Sequence, residues 1–149
     1  MIHQTDAKFP DDIRHYGCYM LALLYQIEEK LKTPLMTYNR VKEIFATEQA
    51  KGNIGAECFL TDPQRLVDDL VPGKLTFKGK VAADYKTSIW EFEIQCWYNP
   101  KTDFHHFVAG GDPAACPKGV AYDPIEGGSR TVREGYLESK RIFDIVDPA

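Results

Sequence analysis

Close cysteine pairs, long apolar runs and an excess of positive charge are all missing from this sequence. Cys18, Cys58, Cys96 and Cys116 are scattered along the chain, so a CxxC redox motif or a zinc site built on paired thiols is excluded. The one close pair of imidazoles, His105 and His106, would point to opposite faces of a strand, and no metal or other cofactor is expected. The longest apolar stretch, Tyr19 to Tyr25, is far short of the ~20 residues a membrane-spanning helix requires. Acidic residues outnumber basic ones by 22 to 18, which leaves no electrostatic footprint for nucleic acid or an anionic membrane surface. Met1 to Asp12 has neither the basic nor the apolar region of a secretory signal, so a cytoplasmic protein without disulfides is expected.

What is present suits one core. The chain has 149 residues, 44% of them hydrophobic, including eight Tyr, eight Phe and two Trp, and nothing in it reads as a linker or a repeat. A single domain over residues 1–149 is expected.

The first half reads as helices. Leu21, Leu24, Tyr25, Ile27 and Leu31 recur at helical spacing from Cys18 to Leu31, before Thr33–Pro34 stops the run. A second helix is expected after Thr37, with Gly52 just beyond its end, and a third from Asp62–Pro63 to about Pro72–Gly73. From Leu75 the pattern turns to strands. Ser88 to Tyr98 alternates Trp90, Phe92, Ile94, Cys96 and Tyr98 against Glu91, Glu93 and Gln95, the signature of a half-buried strand. Asn99 to Asp103 is turn chemistry, Phe104 to Ala109 is the returning strand, and Gly119 to Asp123 another short one. Arg130 to Val132 and Arg141 to Val146 are expected as strands, with a short helix at Glu134 to Lys140 between them. Helices first and an antiparallel sheet afterwards define an α+β order.

Three residues carry candidate chemistry. Cys18 falls in the first turn of its helix, where unpaired backbone N–H groups and the positive dipole end favour a thiolate. His106 lies mid-strand, and alternation separates it from His105. Asp123 ends a strand before Pro124, which holds it extended and lets its carboxylate orient an imidazole. Singly, each has a plainer reading: a packing cysteine, a structural histidine, an Asp–Pro turn. Together, nucleophile on a helix, base on a strand and carboxylate on the next strand follow the chain order of papain-like peptidases.

The strings His106–Phe107–Val108, Tyr122–Asp123–Pro124, Gly127–Gly128–Ser129–Arg130–Thr131–Val132 and Tyr136–Leu137 resemble the C-terminal half of the bacteriocin-processing, double-glycine-leader peptidases. Tyr16 to Leu23 looks like a degraded form of that family's nucleophile motif. The resemblance implies a papain-like fold, with N-terminal helices packed on a C-terminal antiparallel sheet. It also implies a Cys-His-Asp cysteine peptidase acting on a peptide or protein without a cofactor. Two departures stand out: Tyr19 where the family has glycine after the cysteine, and no glutamine shortly before it to complete the oxyanion hole. Gln4, Arg14, His15 and Tyr16 are the candidate second donors. Two other functions are carried forward, a catalytically inactive domain binding a peptide or partner protein, and a phage-type or cell-wall endopeptidase cleaving peptidoglycan cross-links. Such cell-wall enzymes often use a second histidine as the third residue, whereas Asp123 is the candidate here; roles for Asp103 and Asp112 stay open.

Overall fold

The computed structural model describes residues 1–146; Asp147 to Ala149, the end of the expected unit, lie outside the described residues. The N-terminal half is helical: α1 (Asp11–Tyr16), α2 (Cys18–Leu31), α3 (Tyr38–Ala50) and α4 (Pro63–Leu70). Their starts follow local chemistry. The Thr37 side chain accepts from Arg40 N at the head of α3, and Asp62 accepts from Arg65 N at the head of α4, with Pro63 in the first turn.

Helix α1 was not expected. It runs almost into α2, and the two are separated only at Gly17, whose φ of −81° is one any residue adopts. Space, not backbone freedom, demands glycine there. A Cβ would lie 2.6 Å from Ile13 O and 2.9 Å from Ile13 Cγ2, and Ile13 is fully buried. Gly17→Ala is therefore expected to cost about 1–3 kcal/mol of stability through forced repacking. Urea unfolding measures it; a variant as stable as the parent would mean that the α1–α2 junction opens freely.

The second half forms a five-stranded antiparallel sheet in the order β1-β5-β2-β3-β4. Its strands are β1 (Leu75–Ala82), β2 (Glu91–Asn99), β3 (Phe104–Gly110), β4 (Val120–Tyr122) and β5 (Tyr136–Ile145). The fold is thus α+β, helices first. Phe92, Ile94, Ala109 and Phe143 join Leu21, Leu24 and Ile27 of α2 in the main core, while Trp97, Val108 and Val132 make a smaller one.

Two expectations need correction. Strand β2 is buried on both faces, because Glu91, Glu93 and Gln95 sit in a polar network instead of facing water. Lys78 Nζ donates to Glu91 at 2.6 Å, and Thr87 Oγ1 and Lys140 Nζ donate to Glu93 at 2.6 and 3.1 Å. The second correction is at the C-terminal end, where helix and strand exchange places. Arg130–Glu134 is helix α5, capped by Ser129 whose Oγ accepts from Val132 N, and Tyr136–Ile145 is one long strand between β1 and β2. The charged run Glu138, Lys140, Arg141 suggests a helix by composition, but pairing on both sides overrides that propensity.

Candidate active site

Strand β4 pairs with β3 only at Ala109 and Gly110, so the Phe104–Phe107 half of β3 is a sheet edge. The head of α2 and the turn after β4 both reach His106 there. His106 is 3% exposed, and its Nε2 lies 2.7 Å from Asp123 Oδ1. His105 points the other way, exposed and 3.2 Å from Glu138 Oε2.

Asp123 is held at both oxygens. Oδ1 also accepts from Ile125 N at 2.9 Å, and Oδ2 accepts from Ser129 N at 2.8 Å. The loop can fold back this far because Gly127 and Gly128 take φ of +79° and +87°, a region that side-chain-bearing residues rarely enter. Burial works against the Asp123 carboxylate, but the hydrogen bond and charge of His106 and the two backbone N–H groups outweigh it and lower its pKa.

Burial likewise opposes a charged His106, yet hydrogen bonds to Asp123 and to Cys18, and the negative charges of both, push its pKa up to about 9. With Nε2 committed to Asp123, Nδ1 is the ring nitrogen left for the sulfur. Cys18 is partly exposed, as a nucleophile must be, whereas burial raises the thiols of Cys58 to about 12 and Cys96 to about 11. Cys116 is partly exposed beside the turn Pro117–Gly119, with its sulfur packed against Gly111. The structure thus brings Cys18, His106 and Asp123 together.

The four candidate oxyanion donors separate clearly. His15 and Tyr16 face solvent, and Arg14 pairs through its guanidinium with Asp11. Gln4 is 4% exposed; its backbone N–H donates to Pro124 O at 2.8 Å and its Nε2 donates to Arg14 O at 3.1 Å. In an unbroken helix Arg14 O would accept from Cys18 N, four residues on. Gln4 takes that carbonyl instead, so α2 begins at Cys18 and the Cys18 N–H stays among the helix-start donors that have no intrahelical acceptor. A residue 14 positions upstream in the chain is therefore tied to the α1–α2 junction that leads into the nucleophile.

A cavity of about 670 Å³ lies elsewhere, lined among others by Tyr85, Thr87, Glu91, Glu93, Gln95 and Lys140. Its polar floor is internally paired, and none of Cys18, His106 and Asp123 lines it. Among the described residues, no group of three or more His, Cys, Asp or Glu is placed to hold a metal ion, and no helix is long and apolar enough to cross a membrane.

The model of a family described as "Protein of unknown function, DUF261" matches residues 1–145. No curated protein and no solved structure matches the chain.

Proposed function

We propose a cysteine-peptidase function for this chain, which belongs to the DUF261 family. The fold is read as papain-like. The observation that carries the proposal is the buried His106, bonded to Asp123 at 2.7 Å and drawn toward its charged form by Cys18 as well. Burying a charged imidazole costs free energy that its carboxylate partner must offset, and a strongly perturbed histidine beside a thiol supports a functional site.

In the proposed reaction the Cys18 thiolate attacks the carbonyl carbon of a peptide or amide bond, forming a C–S bond. The oxyanion takes hydrogen bonds from Cys18 N–H and from the second Nε2 proton of Gln4. His106 gives its proton to the leaving nitrogen as the C–N bond breaks, then accepts one from water as water attacks the thioester and the C–S bond breaks. Asp123 holds the ring throughout. Gln4 favours an active enzyme over an inactive binding domain, because the donor that the local sequence around Cys18 lacks is supplied from the N-terminal segment.

The test is labelling by an electrophilic thiol probe near neutral pH. Cys18 is expected to react well ahead of Cys116 and Cys58, and His106→Ala is expected to remove that lead. Labelling of Cys18 no faster than Cys116 would reject the proposal.

A further inference from the structure

We propose that Arg141, with Tyr19 Oη and Ser139 beside it, forms a carboxylate-recognition site next to Cys18, so that the preferred substrate is a peptide with an acidic group close to the scissile bond. The inference rests on the peptidase reading for its biological meaning, but the binding site stands on its own geometry.

Arg141 lies on β5 opposite Ile94 of β2, and so faces the helix side of the sheet. Its guanidinium carbon is 5.2 Å from the ring centroid of Phe107, the residue after His106. Tyr19, the residue after Cys18, stacks on the same ring at 4.7 Å with an interplanar angle of 20°. Arg141 and Tyr19 therefore both pack on Phe107 on the helix side of the sheet, where Cys96, opposite Phe107 on β2, lies within electrostatic reach of both Arg141 and Cys18. Arg141, Phe107 and Tyr19 are all partly buried, which shields the site from bulk water.

Two groups on this surface lack partners. Of the five N–H donors of Arg141, one is used within the chain, Nη1 to Ser139 Oγ at 2.8 Å, and among the described residues no carboxylate lies within ion-pair distance of the guanidinium. Several other cations of this acidic chain are matched, among them Lys78 with Glu91 and Lys140 with Glu93. Of the two carboxylates three residues away in sequence, Glu138 is turned to His105 and Asp144, opposite Glu91, lies on the other face of the strand. The second group is Tyr19 Oη, a buried phenol oxygen with no hydrogen-bond partner. Burial raises its pKa well above the usual phenol value, so it carries a proton to donate.

An open planar fork plus an orphaned O–H donor is complementary to an oxyanion, and the oxyanion that a peptide substrate carries is a carboxylate. A guanidinium matches the two carboxylate oxygens side by side, and a buried charge-assisted bond is worth about tenfold or more in affinity. Tyr19 thereby gains a role: where a glycine would leave the surface bare, its ring supports Phe107 and its hydroxyl offers the additional donor.

The experiment measures binding of capped pentapeptides, identical except for Glu, Gln or Lys at one position, to the Cys18→Ala protein by calorimetry. The Glu peptide is expected to bind about tenfold tighter than the Gln peptide, and the Lys peptide more weakly still. Arg141→Gln removes the difference, Arg141→Glu inverts it, and Arg141→Lys keeps part of it; thermal melts establish that each variant is folded. Free-acid and amidated forms of one neutral peptide distinguish a chain-terminal carboxylate from a side-chain one as the group recognised. Equal affinity across the Glu, Gln and Lys series together with equal affinity of free-acid and amidated forms overturns the proposal, as does a preference that survives Arg141→Gln. Failure of the peptidase reading is seen separately, as absence of selective Cys18 labelling in the parent protein.

Discussion

His106→Ala is expected to lower hydrolysis by about 10²–10⁴, the usual contribution of a positioned acid–base group, and to change how both rate and stability depend on pH. In the folded protein His106 holds its proton up to about pH 9, against a reference value near 6.5. A raised folded-state pKa stabilises the native state fully below the unfolded value, and that contribution is lost as pH rises through about 9. The shift corresponds to something on the order of 3 kcal/mol for this almost fully buried ring. Asp123 works with the opposite sign: its lowered pKa adds stability above the unfolded carboxylate value and loses it as pH falls into the acid range. The two describe one interaction seen from both partners, so their contributions are not summed. Urea midpoints of the parent are therefore expected to fall between pH 7 and 10, and more steeply than those of His106→Ala, in which the raised thiols of Cys58 and Cys96 still cost stability above the ordinary thiol value. The parent's rate profile should carry an alkaline limb near pH 9, where the imidazolium that protonates the leaving amine disappears. A parent protein with unchanged stability from pH 7 to 10 would show that His106 is neutral in the fold.

Much of this arrangement was legible in the residues. The period-3.6 run from Cys18 to Leu31 matches α2 in both bounds, and the Thr37 and Asp62 caps and the Asn99–Asp103 turn mark real element ends, because each rests on local chemistry. Legibility failed where long-range pairing decides. Tyr136 to Lys140 is charged enough to pass for a helix, yet it continues the strand expected from Arg141 and is held between β1 and β2. Glu91, Glu93 and Gln95 alternate like solvent-facing residues, and only the distant Lys78, Thr87 and Lys140 reveal that they are buried.

The site divides along the same line. Cys18, His106 and Asp123 were visible as chemistry in a particular chain order. Gln4 was visible only as one of four candidates, since its link to Arg14 O is made by a segment that first crosses Pro124. Nothing in the sequence singles out Arg141. It stands in a run with Lys140, and only the fold sends Lys140 to Glu93 on one face and Arg141 toward Phe107 on the other.

Asp123→Asn and Asp123→Ala are expected to fail in different ways, and the contrast isolates what the carboxylate does. The asparagine variant keeps the shape, and its one carbonyl oxygen can still accept from Ile125 N or Ser129 N. It cannot balance an imidazolium with a charge of its own. In a Ser-His-Asp triad the same exchange costs about 10⁴ in turnover through the wrong tautomer; with His106 already protonated on both nitrogens the amide oxygen can still accept from Nε2, and a loss well short of that is expected here. Stability should fall less, and the alkaline limb near pH 9 should move toward the reference imidazole value as its charge partner goes. The alanine variant removes the acceptors of Ile125 N and Ser129 N as well, freeing the loop that Gly127 and Gly128 bend back. It also leaves a buried imidazole without its partner, a change worth about 3–5 kcal/mol when one member of a buried pair is deleted. Rate measurements paired with urea unfolding separate the two effects. An Asp123→Asn protein that keeps both its turnover and a limb near pH 9 would place the orienting group elsewhere, with Asp103 and Asp112 the next to examine.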